Sequence, residues 1–317
     1  MIHHHSPISG IAAFQQKYIA TAGYDNRVIL WDWSTHEALA VGFHDHLANS
    51  CAFSKDGSLL VTASSDHTAR LWEVPSMKLV AVCRDHTDDV ECARIHPREP
   101  WIATASLDHK VRVFDLSGRL LKIFHGHTAD AITVEWNDVR QSLMSCGDEG
   151  AIREWKMDHD ECVSMVAVGD AETDSLTLTR NGTIFAGNDE GSIFIIPAGS
   201  NIPKKIPAHS AGVKRIAINS THSRLATVSY DRKLIIWSIL PNEEVVKLGE
   251  WPLDEKIWPR SCAFVGDNHI IFGTFGTTYA TFDLQTQTWD VSRVKPTHGT
   301  MLVKFPGLSI QSEIQEF

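Results

Sequence analysis

The sequence is poor in cysteine, and its cysteines do not form a metal or redox motif. Six cysteines are spread over 317 residues, and no two of them are spaced as C-x-x-C, the pattern of zinc ribbons and thioredoxin-like sites. Most of them fall within short apolar runs, where a thiol acts as a small apolar side chain. We therefore expect reduced core cysteines, with zinc or disulfide use as the less favoured alternative.

Long apolar runs and an excess of basic residues are also absent. No stretch approaches the ~20 apolar residues of a membrane-spanning helix, and the opening Met-Ile-His-His-His has neither the basic nor the apolar region of a signal peptide. With 29 Lys and Arg against 39 Asp and Glu, the formal net charge of -10 opposes a phosphate backbone. We expect a cytoplasmic protein that binds neither membranes nor nucleic acid.

Motifs that would indicate an enzyme are missing as well. The sequence contains no Gly-rich phosphate loop that ends in Lys-Ser or Lys-Thr, no H-E-x-x-H, no G-x-S-x-G and no dinucleotide fingerprint. These absences favour a binding protein over an enzyme without deciding between them.

What the sequence does contain is a repeat of about forty residues. Large apolar anchor residues, most of them at the end of a short alternating strand such as residues 27–32, recur at intervals of 41, 42, 41, 41, 41 and 45 residues. The anchors are Trp31, Trp72, Phe114, Trp155, Ile196, Trp237 and Phe282. A repeat of this length cannot bury its own faces and must stack against its neighbours. Seven anchors therefore predict seven blades.

Other positions of the repeat are nearly as regular. The turn position six residues before each anchor holds Asp25, Asp66, Asp108, Glu149, Glu190, Asp231 and finally Gly276. A serine stands two residues earlier in three repeats, at Ser64, Ser106 and Ser229. Five repeats begin with a histidine, at His5, His44, His86, His127 and His209. Blades 5 and 7 lack this histidine and are expected to have Asp170 and Glu255 in its place.

With these elements the chain resembles the WD40 repeat proteins over nearly its whole length. The resemblance implies an all-β fold, a seven-bladed WD40 β-propeller with four-stranded antiparallel blades. We assign residues 1–295 to the propeller, with the N-terminal strand innermost in blade 1, and residues 296–317 to a C-terminal extension. Two segments remain candidates for closing the ring, residues 287–293 and residues 301–305.

The polar positions of the repeat predict a structural network. In blade 2, we expect His44 to bridge Asp66 and Ser64, while Ser64 accepts a hydrogen bond from the Trp72 indole. The same network is expected in blades 3 and 6, where its members are His86, Ser106, Asp108, His209, Ser229, Asp231 and Trp237. A His-Ser-Asp set imitates a hydrolytic triad. Its recurrence in three blades indicates stabilisation rather than catalysis.

The residue before each turn acid is expected to face the central channel. The series is Tyr24, Ser65, Leu107, Asp148, Asp189, Tyr230 and Phe275. Because blades 6, 7 and 1 are consecutive in a ring, this series predicts an aromatic arc of three rings from those blades and an acidic arc opposite. Trp258 and Arg260, at the start of blade 7, are expected close to the aromatic arc.

Aromatic and arginine clusters are typical of binding hot spots. The predicted function is therefore a non-catalytic scaffold that holds a protein partner on Tyr24, Tyr230, Phe275, Trp258 and Arg260. The alternative that the aromatic rings only cap their own blades stays open.

Histidines outside the repeat positions suggest a second possibility. His4, His46, His67, His109 and Asp89 could approach the channel mouth, where imidazole and carboxylate ligands would suit Zn²⁺, Fe²⁺ or Cu²⁺. Apart from such a metal, no cofactor is predicted. The alternative is that these are solvated loop residues.

Residues 3–14 and 23–32 also resemble the stand-alone WD-repeat protein encoded in bacterial toxoflavin-type (azapteridine) biosynthetic clusters. This resemblance implies a role in making a small heteroaromatic metabolite. The protein would either hold the pathway enzymes together or act as a metal-dependent catalyst through the histidine-rich channel mouth.

Overall fold

The computed structural model describes residues 2–297, and within that range the regular structure consists of strands alone. The strands form seven antiparallel sheets of four strands each, and the four strands of a sheet follow one another directly in the chain. This architecture is the predicted seven-bladed β-propeller. Since residues 2–297 form no helix, none of them supplies a helix that could cross a bilayer.

The strands run from the channel outwards in each blade. Blades 1 and 2 comprise β1 (Ile8–Phe14), β2 (Tyr18–Gly23), β3 (Arg27–Asp32), β4 (Ala38–Phe43), β5 (Ala48–Phe53), β6 (Leu59–Ser64), β7 (Ala69–Glu73) and β8 (Lys78–Cys83). Blades 3 and 4 comprise β9 (Val90–Ile95), β10 (Trp101–Ser106), β11 (Lys110–Asp115), β12 (Leu120–His125), β13 (Ala131–Asn137), β14 (Ser142–Gly147), β15 (Ala151–Trp155) and β16 (Ser164–Ala167).

The remaining three blades have the same order. Blades 5 and 6 comprise β17 (Ser175–Leu178), β18 (Ile184–Gly187), β19 (Ser192–Ile196), β20 (Lys204–Pro207), β21 (Val213–Ile218), β22 (Arg224–Ser229), β23 (Lys233–Ile239) and β24 (Val245–Pro252). Blade 7 comprises β25 (Ile257–Val265), β26 (His269–Thr274), β27 (Ala280–Asp283) and β28 (Thr288–Asp290).

Apolar side chains between adjacent blades form the core. One cluster joins Leu30 of blade 1 to Leu60 of blade 2, and another joins Ile29 of blade 1 to Ile271 of blade 7. Strands in the middle of a blade are buried on both faces, as in β14, where all six residues are buried, because a neighbouring blade packs on each side. The seven predicted anchors are all at most 5% exposed.

The ring closes without exchanging a strand between blades. The first strand, β1, is the innermost strand of blade 1, as predicted, and β28, within the candidate segment 287–293, is the outermost strand of blade 7. At this seam, the backbone N–H of His4 donates to the carbonyl of Thr277 at 3.0 Å, and Tyr279 lies 2.8 Å from His36.

The predicted C-terminal extension is described only at its start. Pro296 forms an isolated antiparallel bridge with Gly276 of blade 7. Residues 298–317, including the second candidate closing segment 301–305, lie outside the described residues. The domain boundary at residue 295 therefore stays a prediction.

Candidate functional site

The turn acids and histidines form the expected network, but the hydroxyl in it is a different one. In blade 2, His44 Nδ1 lies 2.8 Å from Asp66 Oδ2, and His44 Nε2 lies 2.7 Å from Thr62 Oγ1. The Trp72 indole N–H donates to the same Thr62 oxygen at 2.9 Å. Ser64 instead accepts from the backbone N–H of Asp66 at 3.0 Å. The predicted role of Ser64 was wrong, because Thr62 lies on the same face of β6, two residues farther from the turn.

The network recurs in four other blades. Its histidine, acid and hydroxyl sets are His4–Asp25–Thr21, His86–Asp108–Thr104, His127–Glu149–Ser145 and His209–Asp231–Thr227. The indole donors are Trp31, Trp155 and Trp237. The predicted serines Ser106 and Ser229 bind the backbone N–H of the next turn acid, as Ser64 does. The structural role of the network is therefore as expected, with threonine or serine four residues before the acid as its centre.

The protonation states of its histidine and acid fix which groups donate and which accept in the hydrogen bonds of the blade 2 network. Burial lowers the pKa of His44 despite the nearby carboxylate of Asp66, so the ring is neutral near pH 7. Burial alone would raise the pKa of Asp66, but the hydrogen bond from His44 holds it well below its ordinary value. The indole N–H of Trp72 then donates to Thr62, the Thr62 hydroxyl donates to His44 Nε2, and Nδ1–H of His44 donates to Asp66. Each of these three protons is therefore committed to a neighbouring group of the network.

Three positions of the repeat differ from the sequence-based assignment. In blade 1, His4 and not His5 belongs to the network, with Nδ1 2.9 Å from Asp25. The backbone N–H of His4 donates to a turn of blade 7, which precedes blade 1 in the ring. The N–H of His44 donates in the same way to the carbonyl of Asn26 in blade 1, at 2.9 Å. By the same bond, Val168 and Leu253 take the histidine position in blades 5 and 7. The assignments of Asp170 and Glu255 were wrong, since Val168 lies 22 residues before Glu190, as His44 does before Asp66, and only the segment before Leu253 is longer than in the other blades.

The seven residues predicted to face the channel occupy equivalent positions. The backbone N–H of each donates to a carbonyl just before the innermost strand of its own blade or at the start of it, at distances from 2.9 to 3.2 Å. They are Tyr24, Ser65, Leu107, Asp148, Asp189, Tyr230 and Phe275. The ring of side chains at the channel mouth therefore follows the predicted order.

Aromatic rings from blades 1 and 7 form a continuous cluster at this mouth. Trp258 contacts Tyr24 edge-on at 5.0 Å between ring centroids and stacks on Phe275 at 5.9 Å. Trp258 is only 3% exposed, so it supports the other two rings, which are half-buried. Lys214 Nζ lies 5.0 Å from the ring centroid of Tyr230.

Arg260 ties the aromatic cluster to the opposite side of the channel. Its guanidinium carbon lies 5.7 Å from the Trp258 centroid, and Nη2 donates to Glu91 Oε2 at 3.0 Å. Burial raises the pKa of Glu91, and Arg260 opposes this rise. Arg260 is thus fixed on both sides.

Acidic residues gather across the mouth from the aromatic cluster. Carboxylate oxygens of Asp148, Glu172 and Asp174 all lie within 4.8 Å of one another. Burial, followed by repulsion from Glu172, raises the pKa of Asp148 to about 6. Asp189, the second predicted acid, binds the ammonium of Lys214 instead, and Lys214 also binds Asp174 at 2.5 Å. The predicted acidic arc is therefore present and larger than the sequence suggested.

The five predicted metal ligands do not assemble into one site. His67 Nε2 lies 3.7 Å from Asp89, and these two form a group with Asp88 whose possible ligand atoms all lie within 4.8 Å of one another. His109 pairs with Asp130 at 3.2 Å, and both ring nitrogens of His4 are engaged in the network described above. Among residues 2–297, no group of three or more possible ligands contains His4, His46 or His109.

Five charged residues of the channel escaped the sequence analysis, namely Glu91, Glu172, Asp174, Lys214 and Arg215. They line a cavity of about 300 Å³ in the channel together with Arg260. The residue type at their positions changes from blade to blade, so the repeat signature carried no signal for them. An alignment of the innermost strands alone would have shown charges there.

Comparison with known proteins agrees with this architecture. Transducin beta-like protein 3 of Rattus norvegicus is 33% identical over 261 residues, which are 78% of this chain and 32% of the relative. Target of rapamycin complex subunit wat1 of Schizosaccharomyces pombe is 24% identical over 232 residues, 69% of this chain and 74% of the relative. Transcription initiation factor TFIID subunit 5 of Caenorhabditis elegans is 31% identical over 170 residues, 53% of this chain and 26% of the relative.

The chain therefore spans about a quarter of the TFIID subunit and a third of the transducin beta-like protein. The family "WD domain, G-beta repeat" matches residues 1–32, 39–73, 77–115, 118–156 and 200–238, which is more than half of the sequence. With its seven four-stranded blades, the chain belongs to the WD40 repeat family.

Proposed function

We propose that the protein is a non-catalytic scaffold that holds a protein partner at the channel mouth, on the half-buried rings of Tyr24, Phe275 and Tyr230. The observation that carries this proposal is the packing of Tyr24 and Phe275 on a buried tryptophan, Trp258. Rings held in this way lose little conformational freedom when a partner covers them, so more of the contact energy is available for binding. The pair of Arg260 and Glu91 holds the same support in place.

The relatives support a role of this kind. Two of them are, by name, subunits of assemblies, the TFIID factor and the target of rapamycin complex. A scaffold also fits a polar network in which each proton is already committed to a neighbouring group. The acidic residues opposite the aromatic rings would favour a partner segment that carries basic residues.

The test uses single substitutions at the half-buried rings. Tyr24→Ala, Phe275→Ala and Tyr230→Ala are expected to weaken binding of a partner purified with the wild-type chain by about 30-fold or more each, the effect of losing a hot-spot side chain. Phe43→Ala is the matched control, because Phe43 is an aromatic residue on the outermost strand of blade 1 and is 52% exposed. Circular dichroism and thermal melts establish that each variant is folded. Unchanged affinity in folded Tyr24→Ala and Phe275→Ala would remove the proposed surface.

A second candidate function is a metal-dependent step in the making of a heteroaromatic metabolite. The observation in its favour is the group of His67, Asp88 and Asp89 beside the channel mouth, since one imidazole and two carboxylates suit Zn²⁺ or Fe²⁺. Elemental analysis of the untagged chain is expected to find stoichiometric metal that His67→Ala loses. His159→Ala is the control, since His159 also pairs with an aspartate on the surface, at 2.8 Å. Absence of metal from the wild-type chain would exclude this candidate.

A further inference from the structure

We propose that the middle of the central channel binds a small inorganic oxyanion such as phosphate, held by the guanidinium of Arg215. This site lies deeper than the aromatic rings at the mouth and does not depend on the scaffold function.

Arg215 stands out from the equivalent residues of the other blades. The innermost strands of blades 1 to 6 pair with their neighbours at one common level, and Ser261 contacts the corresponding backbone in blade 7. The residues at this level are Gly10, Ser50, Cys92, Thr133, Ser175, Arg215 and Ser261. Six small side chains and one long cation leave space beside the guanidinium, and all of these residues except Ser175 line the 300 Å³ cavity.

The four charges that adjoin this level in the sequence on the mouth side compensate one another. Glu91, Asp174, Lys214 and Arg260 each directly precede a residue of the level in the sequence. They form two ion pairs, Arg260 with Glu91 at 3.0 Å and Lys214 with Asp174 at 2.5 Å. No cation or carboxylate of these two pairs is left over for Arg215.

The other side of the level is compensated too. Arg94 and Glu135, two residues beyond Cys92 and Thr133, pair at 3.0 Å. Arg215 has no ion pair or side-chain hydrogen bond within residues 2–297, and its Nε is buried without a partner. Burial and then repulsion from Arg94 lower the pKa of Arg215, and its guanidinium is held without a paired carboxylate although Asp148 and Glu172 line the same cavity.

Water in the cavity could accept hydrogen bonds from the N–H groups of Arg215, but water carries no charge to neutralise the guanidinium. A tetrahedral oxyanion does both, since the planar fork of an arginine matches two of its oxygens. Ser50 and Ser261 place two hydroxyl groups at the same level of the cavity, and hydroxyl groups can donate to the remaining oxygens.

The experiment measures the effect of inorganic phosphate on the melting temperature of the full chain, at constant ionic strength set with chloride. Phosphate is expected to raise the melting temperature of the wild-type chain with saturation at a single affinity. Lys55→Gln, which removes an exposed cation far from the channel residues, should respond like the wild type. Arg215→Gln should show no saturable response.

Arg215→Lys keeps the charge but loses the fork, and isothermal titration is expected to show phosphate affinity at least fivefold weaker than that of the wild type. This variant also tests the proposal if Arg215→Gln does not fold. A phosphate response that is no greater than that to chloride in the wild-type chain, or that is unchanged in the Arg215 variants, would overturn the assignment.

Discussion

Glu91 and Arg260 lie 169 positions apart in the chain, yet their side chains meet at 3.0 Å. Glu91 belongs to blade 3 and Arg260 to blade 7, so the ion pair joins two sides of the channel rather than two adjacent blades. The carboxylate is 13% exposed and depends on the guanidinium to remain charged. The pair therefore connects the aromatic cluster to the innermost strand of blade 3.

The losses in the free energy of unfolding on removing the two members of this ion pair should not be additive. Glu91→Gln leaves Arg260 without its counter-charge, and we expect the free energy of unfolding to fall by about 2 kcal/mol. The double variant Glu91→Gln with Arg260→Met should lose less than the sum of the two single changes, because it leaves no unpaired charge. Urea unfolding of all four proteins measures this coupling. Additive losses would mean that the pair contributes nothing to stability.

The network of blade 2 distinguishes two hydroxyl groups. Thr62→Val keeps the shape of the side chain but leaves the Trp72 indole and His44 Nε2 without their shared partner, so we expect a loss of about 2–3 kcal/mol in the free energy of unfolding. Ser64→Ala removes two hydrogen bonds to the backbone, one from the N–H of Asp66 and a longer one to the carbonyl of His46, and should cost about 1 kcal/mol. Chemical denaturation of both variants gives the comparison. If the serine variant lost more stability, the threonine would not be the centre of the network.

The raised pKa of Asp148 predicts that the effect of replacing this residue on stability depends on pH. Between the ordinary value of 3.8 and about 6, the folded chain keeps a proton on Asp148 that the unfolded chain has lost. The contribution of this carboxyl group to stability is therefore most favourable at low pH and is lost as the pH rises to 6. At pH 8 the ionised carboxylate of Asp148 destabilises the folded chain by about 1 kcal/mol after solvent screening, so Asp148→Asn should melt about 2 °C higher than the wild type. Near pH 4 the two proteins should melt at the same temperature.

Asp189→Asn provides the control for this measurement. Asp189 binds Lys214, so its replacement should lower the melting temperature at pH 8 rather than raise it. A stabilised Asp189 variant, or an Asp148 variant with no dependence on pH, would contradict the electrostatic description of the mouth.

The seam of the ring should be sensitive to a single hydroxyl group. Burial lowers the pKa of His36, so its ring is neutral at pH 7 and Nδ1 accepts a hydrogen bond from the Tyr279 hydroxyl group. Tyr279→Phe should lower the free energy of unfolding by about 1 kcal/mol and speed amide exchange in β1 and β25. Tyr18→Phe serves as control, since the Tyr18 hydroxyl makes no hydrogen bond within residues 2–297. Equal effects of the two changes would show that the seam does not depend on this bond.

The repeat explains how much of the fold could be predicted from the sequence. Blade number follows from the spacing of buried anchors such as Trp31 and Trp72, because each blade must bury one at the same place. The order of side chains at the mouth follows from the same spacing, and the equal backbone bonds of Tyr24 and Asp148 show that the two positions are equivalent.

Details below the level of the repeat could not be predicted. Thr62 and Ser64 have the same chemistry and share a strand face, so only the position of the indole distinguishes them. His4 and His5 are adjacent, and a one-residue difference in loop length decides which one turns inwards. Glu91 and Arg215 could not be predicted because the residue type at their positions changes from blade to blade, and Arg260, the partner of Glu91, lies in a blade that is distant in sequence. Which protein, if any, covers Tyr24 and Phe275 depends on a surface outside this chain.

The seam between blades 7 and 1 has one further consequence. Its backbone bond from His4 to Thr277 repeats the bond that joins blade 2 to blade 1, and the cluster that joins Ile29 to Ile271 is of the same kind as the others. The interface between blades 7 and 1 is therefore equivalent to the one between blades 1 and 2. A circular permutant that starts at His44, with a peptide linker between blade 7 and His4, should assemble the same propeller, because the old termini would simply become another loop between equivalent blades.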